Sequence, residues 1–197
     1  MTSLETRRDR RRMAIGHMVM TVQREMQSGV TPAALEASKR AMLRLAAERA
    51  LFTVEDFPRP EGDRVDCTYL VHQEPDGSCA LYVNSSLPGE QSQPHDHGGT
   101  WAIIAAVDGP EDHRFYTYQD GQLVQTGDIT LDTGRAVAMG PDGIHSIHGM
   151  TEPLMHLHLY GQCFENQGER RVFDPETGAV RRFVLEDIGF LEDRRDA

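Results

Sequence analysis

The chain has 197 residues, 20 Lys+Arg against 31 Asp+Glu for a formal net charge of −11, and 39% apolar residues. That is the size and composition of one globular domain with a helical annex and a sizeable core. So acidic a balance disfavours a nucleic acid or an anionic membrane surface as main partner, because both reward a basic face, and no run of about 18 apolar residues is present to span a membrane.

Residues 3–52 read as two helices. Ser3 can cap the first, and Ile15, Met18, Val19, Val22 and Met26 draw one apolar stripe before Gly29 ends it. The run Arg7-Arg8-Asp9-Arg10-Arg11-Arg12 ahead of that stripe reads as a solvated helix face. It is not the start of a secretory signal, since the apolar stretch after it is broken by Gly16 and His17 and meets no small-residue cleavage site. In the second helix Thr31 is the cap and Pro32 the first helical residue, with Leu35, Met42, Leu45 and Ala46 along one face. Residues 1–56 are therefore assigned as a helical segment packed on a domain formed by residues 57–197.

The stretch from Phe57 to Gly62 breaks the helical pattern, and the apolar period then changes to two. Strands are expected at Thr68 to Val71, Cys79 to Val83, Trp101 to Val107, Phe115 to Tyr118, Ile129 to Leu131, Ala136 to Met139, Leu154 to Tyr160 and Arg181 to Val184. Asp76-Gly77, Asp120-Gly121 and Asp142-Gly143 supply turn signals. About eight short strands without intervening helices argue for a mainly β sandwich or barrel behind two N-terminal helices. Cys67, Cys79 and Cys163, with no C-x-x-C pair, read as reduced and packed thiols, and a cytoplasmic location is expected with them.

Seven of the nine histidines fall in the β region. In a strand, residues i and i+2 face the same way, so His95 and His97 can aim two imidazoles at one point. His145, at the start of a strand after the Asp142-Gly143 turn, can supply a third. Three neutral histidines leave a divalent metal its full charge and open positions, and both iron(II) and zinc accept such ligands. His148 and His156 read as groups beside the site or at the surface. His17, His72 and His113 read as surface residues. Trp101 is either a core aromatic or a wall of the substrate pocket, and Cys163 reads as packing.

Gly89, His95-x-His97 and Gly109 resemble the first motif of the cupin superfamily, and Gly134 with Pro141-x-Gly143-x-His145 resembles the second. The implied fold is a cupin double-stranded β-helix, a jelly-roll barrel with the metal held inside. Where cupins usually place a glutamate ligand, this chain has Ala102. With Leu157-His158-Leu159-Tyr160 and Phe173-Asp174-Pro175-Glu176-Thr177-Gly178 added, residues 65–185 are similar to the cysteine dioxygenase family of thiol dioxygenases. That resemblance implies His95, His97 and His145 as ligands of iron(II), ahead of zinc, manganese or nickel. It implies His158 and Tyr160 as the catalytic relay beside the metal, with His156 where the family has a serine, and a small thiol, cysteine or a mercapto acid, oxidised by O2 to the sulfinate. No nucleic-acid or membrane partner is implied.

Two departures from the family bear on the substrate. Ala102 replaces the cysteine that mammalian members join to the tyrosine, so that crosslink has no counterpart here. Tyr69 stands where the carboxylate-binding arginine is expected, so L-cysteine is expected to be a poor substrate unless Arg64, Arg170 or Arg171 supplies the fork. The competing expectations are another metal-dependent cupin enzyme, such as an isomerase or hydrolase using zinc or manganese, and a non-catalytic cupin that binds a small ligand.

Overall fold

The computed structural model describes residues 3–89, 91–149 and 152–196. Helix α1 (Ser3–Met26) and helix α2 (Pro32–Ala46) open the described chain. The α1 stripe is buried as its spacing requires, Ile15, Met18, Val19 and Val22 each being at most 3% exposed, with Met26 packed at the edge. The Ser3 side chain, read as a cap, lies outside the described residues. Thr31 does cap α2, its hydroxyl oxygen accepting from the Ala34 amide at 3.1 Å, and Pro32 stands where a missing N–H costs nothing.

One basic residue departs from the expected solvated face. Arg11 is buried, donating to Asp56 at 2.7 Å and to the Leu51 carbonyl at 2.6 Å, and Arg7 reaches the same carboxylate at 2.8 Å. A buried carboxylate needs such partners; here they tie α1 to the chain that enters the barrel.

Eleven strands follow among the described residues: β1 (Asp66–Gln73), β2 (Ala80–Ser86), β3 (Ala102–Asp108), β4 (Glu111–Gln119), β5 (Gln122–Leu131), β6 (Ala136–Met139), β7 (Ile144–Gly149), β8 (Leu154–Tyr160), β9 (Arg171–Phe173), β10 (Val180–Arg182) and β11 (Leu191–Asp193). They form a six-stranded sheet in the order β11-β1-β2-β8-β3-β6 and a three-stranded sheet in the order β5-β4-β7. The second sheet is continued by the segment at His95, which bridges to His145 of β7 on one side and to Val172 of β9 on the other. Asp120 and Gly121, both with positive φ (51° and 78°), close the two-residue β4–β5 hairpin as an Asp-Gly turn should.

Each face of the six-stranded sheet has its own core. Cys67, Tyr69, Val71, Leu81, Val83, Trp101, Ile103, Ala105, Met155, Leu157 and Leu159 pack with α1 and α2. Residues of the opposite parity, among them Leu70, Tyr82, Ala102, Ile104 and Tyr160, pack with Leu131, Phe115 and Ile129 of the second sheet. The interior between the two sheets holds the polar groups described next.

Candidate metal centre

His95, His97 and His145 come together between the sheets, with one nitrogen of each within 4.8 Å of the others. His95 and His97 share a face because they are two apart in an extended segment, and paired backbone hydrogen bonds, His95 N to His145 O at 2.8 Å and the reverse at 3.0 Å, hold the third beside them. All three rings are buried. His95 Nδ1 donates to the Gln93 carbonyl at 2.8 Å, which leaves Nε2 as the lone-pair atom. Both nitrogens of His97 and Nε2 of His145 are buried without a hydrogen-bond partner. Burial, aided by the Arg170 charge and by the neighbouring imidazoles, pushes the His95 pKa down to about 3 and holds His97 well below its ordinary value. Burial and the neighbouring imidazoles alone do the same to His145. Three neutral imidazoles with unused lone pairs fit a divalent metal, which such nitrogens bind; as a purely structural cluster they would leave costly orphaned groups.

A cavity of about 300 Å³ opens onto this group and is lined by His95, His158, Tyr160, Arg170, Thr68 and Phe183, among others. His158 Nδ1 lies 3.2 Å from the Tyr160 hydroxyl, and both rings reach the cavity because residues 158 and 160 share the inner face of β8. Burial drives the His158 pKa down to about 3 and pushes the Tyr160 phenol up, the latter against the pull of Arg170. Arg170 is itself buried; its Nε donates to the Asp96 carbonyl at 2.9 Å and its guanidinium lies 4.1 Å from the Phe183 ring centroid. The other two arginines considered for a carboxylate fork are engaged elsewhere. Arg171 pairs with Asp96 at 2.6 Å, and Arg64 stacks on Phe190.

Two expected pocket residues are not there. Tyr69 and Trp101 point to the helix side of the six-stranded sheet; the Tyr69 hydroxyl donates to the Pro58 carbonyl at 2.8 Å and its ring meets Phe57 and Phe190. The cause is parity. On β1 it is Asp66 and Thr68 that line the cavity, so the inference about L-cysteine drawn from Tyr69 loses its basis.

A third correction concerns His113, which is fully buried instead of exposed. It belongs with Glu111 and His156 to a second polar cluster. Glu111 Oε2 lies 2.7 Å from His113 Nε2 and 3.1 Å from His156 Nδ1, while His156 Nε2 donates to the Gly109 carbonyl at 2.9 Å. Gly109 has φ +76° and sits so close to Pro153 that a side chain there would collide, which fixes that carbonyl. His156 thus meets Glu111 and the Gly109 carbonyl. Glu111 escaped attention in the sequence, although Glu111-x-His113-x-Phe115 carries the period-two signal of one strand face. Burial would raise the Glu111 pKa, but His156 and His113 outweigh it and hold the carboxyl well below its ordinary value. His148, half-buried, meets the Ser146 hydroxyl at 3.1 Å, His72 pairs with Glu74, and His17 is exposed. All three cysteines are free and buried.

The double-stranded β-helix with two preceding helices is a mainly β fold of the cupin type. No family model matches the sequence, and no curated protein matches it. Among solved structures, the chain is similar to the TT1209 protein of Thermus thermophilus, with 16% identity, 52% of this chain and 89% of that one covered, and a TM-score of 0.43. It is also similar to the Cupin_2 domain of an XRE-family transcriptional regulator from Enterobacter cloacae (16% identity, 49% and 96% covered, TM-score 0.37). KdgF from Halomonas sp. is a third (14% identity, 51% and 83% covered, TM-score 0.41). No helix among the described residues is long and apolar enough to cross a membrane.

Proposed function

We propose that the protein is an iron(II)-dependent thiol dioxygenase whose substrate is a small thiol bearing a carboxylate, with R–SH + O2 giving R–SO2H. The observation that carries this reading is one cavity lined by the His158–Tyr160 pair, Arg170 and His95, the last of these grouped with His97 and His145 behind it. Iron(II) held by His95, His97 and His145 would supply a cationic centre with open positions for a thiolate and dioxygen together. Arg170 receives the carboxylate. Its Nε bond to the Asp96 carbonyl and its stacking on Phe183 hold it in place before substrate arrives, and a planar guanidinium matches a carboxylate with two parallel N–H donors. Tyr160, with its pKa raised by burial, stays protonated at neutral pH and is a hydrogen-bond donor. When His158 Nδ1–H donates to the phenol oxygen, the phenol proton is directed to the cavity, where it stabilises charge developing on oxygen or sulfur. Phe164, Phe183 and Val172 at the cavity wall limit the water around the reacting atoms. Three free, buried thiols favour a reducing compartment, the cytoplasm.

The test is anaerobic loading with iron(II), metal quantitation, and O2 uptake with 3-mercaptopropionate, mercaptosuccinate, L-cysteine and cysteamine. The expected result is turnover of carboxylated thiols and little with cysteamine, and a sharp rise in KM for Arg170→Ala. Bound iron with no O2 uptake on any thiol would overturn the dioxygenase and favour another metal-dependent cupin enzyme. Failure to hold any metal would favour a ligand-binding cupin.

A further inference from the structure

Glu111, His113 and His156 are fully buried, and the proposed reaction uses none of them. Hydrogen-bond chemistry gives this cluster a direction. A carboxylate only accepts, so His113 Nε2 donates to Glu111 Oε2 at 2.7 Å. In the neutral form of an imidazole the other nitrogen is then an acceptor, and here it lies 3.1 Å from His145 Nδ1. His145 must therefore carry its proton on Nδ1. Its Nε2, buried and without a partner, is left as a lone pair among His95 and His97. The rings of His113 and His145 are nearly parallel, at 10°. His156 fixes the far end of the chain, since both of its nitrogens face acceptors, Glu111 Oε2 and the Gly109 carbonyl.

Resting on the reading of His95, His97 and His145 as a metal site, we infer that Glu111 and His113 are positioning residues for His145. Together they form a carboxylate–imidazole–imidazole relay that sets the tautomer of the ligand and raises the basicity of its free nitrogen. Partners of this kind are needed because an imidazole has two equivalent choices of proton, and only one leaves the lone pair where a metal can use it. Ala102, on β3 of the six-stranded sheet, cannot bring a carboxylate to the metal, whereas Glu111 acts through two imidazoles. The cluster is not a second metal site, because the three nitrogens of His113 and His156 other than Nδ1 of His113 already face Glu111 or a carbonyl, and Nδ1 of His113 faces His145.

The experiment measures cobalt(II) and iron(II) affinity of metal-free protein for wild type, His113→Phe, His113→Gln and Glu111→Gln, with thermal melts of each. His113→Phe should weaken binding 10- to 100-fold, the usual effect of losing such a partner. His113→Gln should recover most of it, since a carboxamide can donate to Glu111 and accept from His145. A role confined to folding would lower the melting temperature in both variants and leave affinity unchanged. Affinity within twofold of wild type in a folded His113→Phe overturns the relay alone, and failure of wild type to bind either metal overturns the relay and the metal site together. The 15N shifts of His145 in metal-free wild type give a reading that needs no variant. They should report the Nδ1–H tautomer, and the Nε2–H tautomer would overturn the relay.

Discussion

Two clusters of buried polar side chains lie next to each other between the sheets, joined by the contact of His113 with His145. They differ in how their hydrogen-bonding groups end. Around Glu111 every imidazole nitrogen has a partner, and Glu111 Oε1 alone is left without one. Around His97 the nitrogens end on nothing. Equal burial with unequal satisfaction separates a cluster that holds the fold from one that awaits a ligand, because an orphaned buried group costs about 1–3 kcal/mol and persists only where something offsets it.

The largest expected effects break this comparison directly. His95→Ala, His97→Ala and His145→Ala should each abolish stoichiometric iron binding while the barrel stays folded, and for His97 and His145 the change also removes an unsatisfied nitrogen. Metal quantitation and circular dichroism check both halves; full iron occupancy in all three variants would sink the site. In the Glu111 cluster the order reverses. Glu111→Ala strips the partner from two imidazoles and should cost roughly 3–5 kcal/mol of stability, the range for breaking a buried ionic network. Urea unfolding of the metal-free protein measures it, and a loss under about 1 kcal/mol would mean that the cluster is not holding the fold.

How much of this was legible in the sequence depends on whether one strand decides its own parity. His95-x-His97 fixes a shared face by itself, and the two helices follow from stripes and a cap, so these were readable. Tyr69 and Trp101 were not. β1 and β3 are largely buried on both faces, because helices cover one side and the second sheet the other, so burial alone carries no sign of which side is the pocket. His113 failed for the opposite reason: Asp112 and Arg114 beside it make β4 look solvated, and only its pairing with β7 turns Glu111 and His113 inward. β9 and β11, three residues each, are too short for any period. Nothing local distinguishes Arg170 from Arg171; the burial of the first and the Asp96 pairing of the second decide it.

Tyr160 sharpens the comparison from the cavity side. Tyr160→Phe keeps the ring and removes the hydroxyl, and should lower turnover roughly 100-fold with iron content unchanged. If the hydroxyl only satisfied His158, stability would fall and turnover per bound iron would hold.

Acid should separate the clusters with no substitution at all. Burial is the main reason that His95 and His158 fall to about 3, and it also holds His97 and His145 well below 6.5. These rings stay neutral in the folded protein while the unfolded chain takes up protons as pH falls through 6.5. More protons on the unfolded state means that stability rises with pH, so the contribution is complete above about 6.5 and is lost progressively as pH falls toward 3. Each such ring adds up to about 1.4 kcal/mol per pH unit to that slope, and about 1 kcal/mol moves the melting temperature of a domain this long by roughly 2–4 °C. Glu111 contributes no slope in this window, because its folded pKa is depressed and an unfolded glutamate titrates near 4.3, so its loss begins only below about 5. Metal-free protein melted at half-unit steps from pH 7 to pH 5 should therefore lose on the order of 15–30 °C, about 2 kcal/mol for each of the four rings, and His158→Phe should flatten the slope by one proton's share. A melting temperature constant across that interval would mean that the four imidazoles are not held neutral by burial, and with it would go the difference between the two clusters.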